Sequence, residues 1–416
     1  MRLRPAALAV ALGSAALGAA LAAWQGGGAA NGPAEPAALA PAAGGPAAPE
    51  TTRGREKGND FIGDAGGEGP APGARRGAIP VARDGAAQPL EGPAGGAAEA
   101  SGEAFLGAPD APVLRVLREA EVERVEPGKG GRSLGFVVWL QGGQKAYFKP
   151  EQRFSGARWY AEVAAYHLDR MLGLGRVPPV VARELPWKLL RAAARRHPRG
   201  EEIVVHSGGR VYGALIAWVE GGLPRLRLPA GWEQWLRVGR APFLSPFVRP
   251  RDWLRAVQAF RQSGRIEGPL GGERWPEVRP DRPERPAELS DMILFDYLVR
   301  NVDRWSADFS NVRTRGPGGP LVFLDQAAGF AGGRPSSGHL DAQLRAVQRV
   351  RAATVRAIEA FDLAAYRARL RREPIQPVLD APRLEGLRVR REALLRHVRE
   401  LRERFGARRV HFEVGS

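Results

Sequence analysis

Between Gln25 and Pro109 the chain carries almost no large hydrophobic residues, and nothing else in its 416 residues limits the fold as strongly. The stretch is Ala, Gly, Pro and scattered charge. It cannot bury enough apolar surface to offset the entropy of ordering it, so residues 25–109 read as a disordered linker. Most of the excess in the chain's 53 glycines and 35 prolines lies before residue 110. Roughly 300 residues remain for a core, enough for a large two-lobed domain.

Ahead of the linker, Arg2 and Arg4 precede an uninterrupted small and apolar run from Ala6 to Trp24. A basic start followed by such a run is the pattern of a secretory signal, so residues 1–24 are expected to be a signal peptide or signal anchor. Membrane attachment through residues 6–24 stays open. The protein is expected to be exported, to a Golgi lumen or outside the cell in a eukaryote, or to the periplasm or envelope in a bacterium.

Several chemistries are excluded by composition. The chain has no cysteine, which removes disulfides, thiolate nucleophiles, thiolate zinc sites and iron–sulfur ligation. Its six histidines show no metal-binding spacing, and His167 reads as a helix residue with a satisfied ring. There is no GxxxxGK[ST] loop. The net charge of +17 comes mainly from arginines dispersed over helices, loops and linkers. This reads as solvated helix faces, and nucleic acid is not expected as a partner.

The folded part is expected from residue 110, with a first lobe over 110–220 and a second over 221–416. Val113–Val125 fits a strand or a short helix. Leu134–Leu140 and Lys145–Phe148 read as strands joined by the hairpin Gln141-Gly-Gly-Gln144. Ser155–Leu172 has a helical pattern that is apolar on several faces, as in a buried helix, and it stops at Gly173. Val211–Val219 is a strand, and the Pro- and Trp-rich text from Gly221 to Pro286 gives no clear element. Ala287–Val299 is a helix, Leu321–Leu324 a short strand, and the remainder helical. Strands around one helix, then mostly helices, suit a small β-rich lobe followed by a large α-helical one.

Three features in chain order carry chemistry. Lys149 ends an apolar strand and is placed to reach nucleotide phosphates. Glu162 lies on the buried-looking helix that follows, where a carboxylate needs a partner, and Lys149 is the obvious one. Thirdly, the helix from Asp291 ends in the polar loop Asn301-Val-Asp303-Arg304, Asn311 lies eight residues past Asp303, and a short strand delivers Asp325. One acid in a loop and another after a strand is the arrangement phosphoryl transfer requires, the first orienting the attacking hydroxyl and the second, with an amide, holding a metal.

The blocks Phe148-Lys149-Pro150, Ala161-Glu162 to Arg170 and Arg176-Val-Pro-Pro179 resemble the secretory-pathway, Golgi casein kinase-like atypical kinases. The block from Asp291 through Asn301-Val-Asp-Arg304 and Ser310-Asn311 to Asp325 is closest to four-jointed box kinases. The resemblance implies an α+β fold with a small β-rich N-lobe and a large α-helical C-lobe of protein-kinase type. It implies ATP and Mn²⁺ or Mg²⁺ as cofactors, and an exported protein (Ser/Thr) or glycan as acceptor. By it, Lys149 is the nucleotide-binding lysine, Glu162 its helix partner, Asp303 the catalytic aspartate, and Asp325 and Asn311 the metal ligands. Gly130 and Gly131 fall in a phosphate-covering turn, and Leu215–Val219 with Glu220 at the adenine-contacting hinge. Two positions depart from the pattern: Gln326 replaces an Asn after the metal aspartate, and Trp305 replaces a His after the Asp-Arg pair. The missing cysteines suggest a distant, bacterial member. The alternatives are a catalytically silent kinase-fold scaffold and a basic protein that binds anionic polymers.

Overall fold

The computed structural model describes residues 102–412 apart from 130–132, 155, 240–244, 248–254, 256–277, 306–308 and 333–337. The expected export segment, the linker up to residue 101, and Gly130 and Gly131 lie outside the described residues. Among the described residues no helix is long and apolar enough to cross a membrane.

The fold begins before the expected boundary at residue 110. A hairpin of β1 (Ala104–Phe105) and β2 (Ala108–Pro109) leads directly into α1 (Asp110–Glu119). Phe105 and Leu106 pack against a small cluster of Val219, Leu223, Val322 and Leu324. Glu103 takes two hydrogen bonds from Arg369, one of 2.6 Å. The last residues of the Ala/Gly-rich stretch therefore carry apolar and charged anchors. Asp110 is buried and accepts from Tyr166 Oη at 2.9 Å and Arg170 Nε at 2.5 Å. Val113–Val125 is thus helix first and strand second.

The N-lobe sheet is antiparallel, in the order β3 (Val122–Pro127), β4 (Phe136–Leu140), β5 (Lys145–Pro150), β7 (Arg210–Ala217), β6 (Val180–Pro186). The predicted 141–144 hairpin is present. Gly142 and Gly143 take φ of +87° and +80°, a conformation costly for any residue with a Cβ. Between β5 and β6 runs α2 (Trp159–Met171), buried from Ala161 to Arg170 and packed with α1 against β6 and β7. Strand β6 and α3 (Trp187–Ala194) have no counterpart in the sequence reading, because prolines at 178, 179 and 186 mask a strand that pairs along its whole length with β7.

The C-lobe is built on α4 (Arg285–Val299), in which every residue but Pro286 is buried. Around it lie α5 (Gly338–Ala346), α6 (Ala352–Ala360), α7 (Leu363–Leu370), the 25-residue α8 (Ala381–Phe405) and the short α9 (Ala407–Val410). Strands β8 (Arg313–Thr314) and β9 (Leu321–Val322) form a two-residue ladder that projects Asp325 beyond it.

His167 links α2 to this lobe. Its ring contacts Glu373 at 2.8 Å and accepts from Arg369 Nε at 2.7 Å, so it is a satisfied structural residue. Burial holds the imidazole below its ordinary value against the pull of Glu373. The same direction holds for His339 and His397, again from burial. A histidine whose folded pKa is depressed binds its proton more readily in the unfolded chain. Stability should therefore be full above about pH 6.5 and decline as the pH falls below it. Thermal unfolding at pH 7.5 and 5.5 is expected to show a lower midpoint at the acidic pH, with a smaller difference in His167→Gln. A pH difference left unchanged by His167→Gln would mean that this ring titrates as in the open chain.

Candidate active site

Strand β5 carries Lys149 to its end, with Phe148 and Ala146 in the core and Tyr147 two residues back on the same face as Lys149. The ammonium is buried, 4% exposed, and two carboxylates satisfy it: Glu162 Oε1 at 2.5 Å and Asp325 Oδ1 at 2.7 Å. Burial alone would push this lysine down. Asp325 and Glu162 outweigh it and hold the ammonium above its ordinary value, so Lys149 is a fixed cation at neutral pH. Asp325 is held low in return, chiefly by Lys149 working against its own burial.

Glu162 projects from the first turn of α2 and accepts a second bond from the Gln326 amide at 2.9 Å. One carboxylate oxygen thereby fastens helix α2 to both Lys149 and the segment after β9. Asp325 itself has φ +55°, left-handed backbone that a residue with a Cβ adopts at a cost of order 1 kcal/mol. Its other oxygen faces Asn311 Nδ2 at 3.3 Å. Lys149, Glu162, Asp325 and Asn311 are thus brought into one hydrogen-bonded group.

Asp303 is joined to this group at one remove. It is exposed in the loop after α4, where Arg300 ends the helix at φ +61°. Asn301 is fully buried and bridges the two loops: Oδ1 accepts from the Asp303 amide at 3.2 Å, and Nδ2 donates to the Asp325 carbonyl at 3.0 Å. The expected phosphate-covering turn is described only at its base, where the Gly128 amide bonds the Gly135 carbonyl at 2.7 Å. Tyr147 lies beneath, and a Cβ at Gly128 would come within 2.6 Å of its hydroxyl. Burial raises the Tyr147 hydroxyl to about 12, so it stays protonated beside the charged cluster.

Two residues missed as functional in the sequence hold this geometry. Asn301 was visible as the polar residue closing an apolar helix. Arg304 is buried, donates from Nε to both oxygens of Asp296 at 2.8 Å, and reaches the Leu324 carbonyl at 2.6 Å and the Asn311 carbonyl at 3.2 Å. It therefore clamps α4, Asn311 and the residue preceding Asp325.

The two departures from the kinase pattern have structural roles. Trp305 donates to Asp296 at 2.9 Å and stacks on Trp232 at 5.7 Å, with Phe247 and Phe309 edge-on. It anchors Trp232 and Phe247, two described residues of the otherwise unreadable middle segment, under the loop. Gln326 is fully buried, donates to the Phe323 carbonyl at 3.1 Å and accepts from Asn301 at 3.1 Å. Both replacements support the loop, and neither displaces an acid.

Comparison with known proteins bears on the family and the fold. The family model described as Golgi casein kinase, C-terminal, Fam20, matches residues 110–193 and 277–410, more than half of the chain. Glycosaminoglycan xylosylkinase of Danio rerio is 26% identical over 336 residues, covering 73% of this chain and 78% of that protein. Four-jointed box protein 1 of Mus musculus is 30% identical over 331 residues, covering 71% of this chain and 64% of that protein. A solved structure of the Golgi casein kinase with Mn/ADP bound matches with a TM-score of 0.52 at 18% identity, covering 74% of this chain and 80% of that one. The likeness shows the expected two-lobed, kinase-like α+β fold.

Proposed function

The chain belongs to the Golgi casein kinase (Fam20) family, and from that premise we propose that it is an active kinase of the secretory pathway, using ATP with Mn²⁺ or Mg²⁺ to phosphorylate hydroxyl groups of exported proteins or glycans. The single observation that supports it best is the ion cluster of Lys149 with Glu162 and Asp325. A strand lysine fixed by a helix glutamate beside a metal-type aspartate is what a triphosphate needs in order to be gripped and oriented.

In this reading Lys149 takes the nucleotide phosphates and Glu162 keeps it aimed. Asp325 and Asn311 would hold the divalent ion, which when bound would supply neutralisation of charge on the phosphates. Among the described residues no three acids or histidines gather to enclose an ion alone. One carboxylate and one amide would suffice as protein ligands for a hard cation that is bound together with substrate phosphates. Asp303, exposed beside the cluster, orients the acceptor hydroxyl and accepts its proton. Gly130 and Gly131 cover the phosphates, and the connector after β7, with Glu220, meets the base. The acceptor class follows the relatives, whose names specify a glycosaminoglycan xylose and casein. Export rests on residues 1–24.

The test is transfer of label from [γ-³²P]ATP to casein and to a xyloside, with Mn²⁺ or Mg²⁺, alongside thermal unfolding. ATP with metal at about 100 times its Kd should stabilise the protein by about 2.7 kcal/mol. Label should appear on one acceptor. A stability gain without transfer would make the chain a nucleotide-binding scaffold. Neither gain nor transfer would end the kinase reading.

A further inference from the structure

The active-site cluster uses one lysine, which leaves the basic composition of the chain without a role. At the far end of the N-lobe sheet there is a cavity of about 490 Å³ that gathers some of that charge. Its walls are Trp187, Lys188 and Arg191 from the start of α3, Arg210 from the start of β7, and the turn at Gly208 and Gly209. In the sheet Lys149 pairs with Ala214. Arg210 lies four residues further along β7, so the cavity opens about 13 Å from the nucleotide lysine and shares no residue with that site.

The charge here is unbalanced. Lys188 and Arg191 are both exposed and stand three residues apart on α3, where side chains are neighbours and like charges oppose the helix. Among the described residues neither has a carboxylate within ion-pair distance. Arg210 has only a loose partner, Glu184 at 3.6 Å, with both side chains about half exposed at 47% and 46%. Trp187 is partly buried against the core, so its ring is held as a fixed wall. The cavity is in the size range of small-ligand sites.

We propose that this cavity binds a sulfated saccharide segment of one or two residues. Lys188, Arg191 and Arg210 would take the sulfates, and the Trp187 ring would lie against the apolar face of a sugar. The lining contains no Asn, Gln, Asp, Glu or Ser side chain, so the N–H donors on a nucleobase edge would find no side-chain acceptor there. Sulfates need only the three cations, and a pyranose needs only the ring. The site is independent of the kinase reading and would tether the protein to an anionic glycan whatever the acceptor.

The full chain is titrated with a heparin-derived sulfated hexasaccharide, its desulfated counterpart and a phosphoserine peptide at physiological salt. Wild-type protein is compared with Lys188→Ala/Arg191→Ala and with Arg396→Ala/Arg399→Ala, which removes the same charge from exposed positions on α8. The first pair is expected to weaken binding of the sulfated hexasaccharide by roughly tenfold, through loss of two contacts of about 0.7 kcal/mol each. The α8 pair should change it by less than about twofold, and desulfation should abolish binding. Trp187→Phe should diminish the fluorescence change on binding while leaving the salt dependence in place. Equal weakening by both pairs would reduce the effect to net charge and overturn the site. Unchanged binding of the desulfated sugar, tighter binding of the phosphopeptide, or no binding of the sulfated sugar would overturn it equally.

Discussion

Asp303→Asn is expected to lower phosphoryl transfer by roughly 10²–10⁴-fold, the range typical for losing a positioned general base. It should leave stabilisation by ATP and metal unchanged. The two halves of this expectation come from separate parts of the geometry. Nucleotide and metal would be gripped by Lys149, Glu162, Asp325 and Asn311, which are joined to one another without Asp303. The loop conformation is set through the Asp303 backbone amide, which bonds Asn301, so an isosteric amide at 303 leaves that bond in place. Lys149→Met should behave in the opposite sense. It removes the cation and leaves Glu162 and Asp325 facing each other in a buried site, so the nucleotide-dependent gain in stability should disappear together with turnover. Single-turnover kinetics and thermal unfolding on the two variants separate these cases. Turnover of Asp303→Asn within about twofold of wild type would remove Asp303 from the chemistry and leave the ion cluster standing.

The difference between what the sequence disclosed and what it concealed follows from distance along the chain. Strands β4 and β5 and their Gly-Gly turn were legible because alternation and turn chemistry are local signals. Helices α2 and α4 were legible because a helix apolar on several faces has no stable place but a core. Strand β6 was hidden by its flanking prolines, and its partner β7 begins after an intervening helix. Strands β8 and β9 are each two residues long and hold no periodicity to detect. The hairpin at 104–109 was absorbed into the linker because its composition matches the linker, and only Phe105, Leu106 and Glu103 distinguish it.

The same logic applies to the site. Residue types and their order pointed to Lys149, Glu162, Asp303, Asn311 and Asp325, yet the contact between Lys149 and Asp325 spans 176 positions. Residue order alone cannot supply a contact of that range. Asn301 and Arg304 were quoted within the motif without a role, since both act through backbone carbonyls that the sequence does not display. Trp305 was legible only as a departure from the pattern. Its partner Trp232 lies in the segment with no readable element, so its stacking role emerged only with the fold.

Arg304→Met is expected to destabilise the folded protein by about 3–5 kcal/mol, the usual cost of removing one member of a buried ion pair. Arg304 and Asp296 are 0% and 1% exposed at their side chains, and the arginine's Nε meets both carboxylate oxygens. Even with Arg304 present, burial raises the Asp296 carboxyl to about 6. Without Arg304 the carboxylate is stranded, and the folded protein should take up a proton there more readily than the unfolded chain. A folded-state pKa raised above the unfolded value makes stability fall as pH rises, so the deficit of Arg304→Met should be smaller at pH 5 than at pH 8. Replacing both residues, as in Arg304→Met/Asp296→Leu, should recover much of the loss, because no buried charge then remains. Arg304→Lys keeps a charge but loses the fork, and should fall between the extremes. Urea unfolding of these variants at the two pH values measures each term. A deficit equal at pH 5 and pH 8 would mean that the lost bonds to the Leu324 and Asn311 carbonyls, and not the stranded carboxylate, dominate. In that case the double variant would recover nothing, and the clamp that aligns Asp325 would owe its strength to backbone contacts alone.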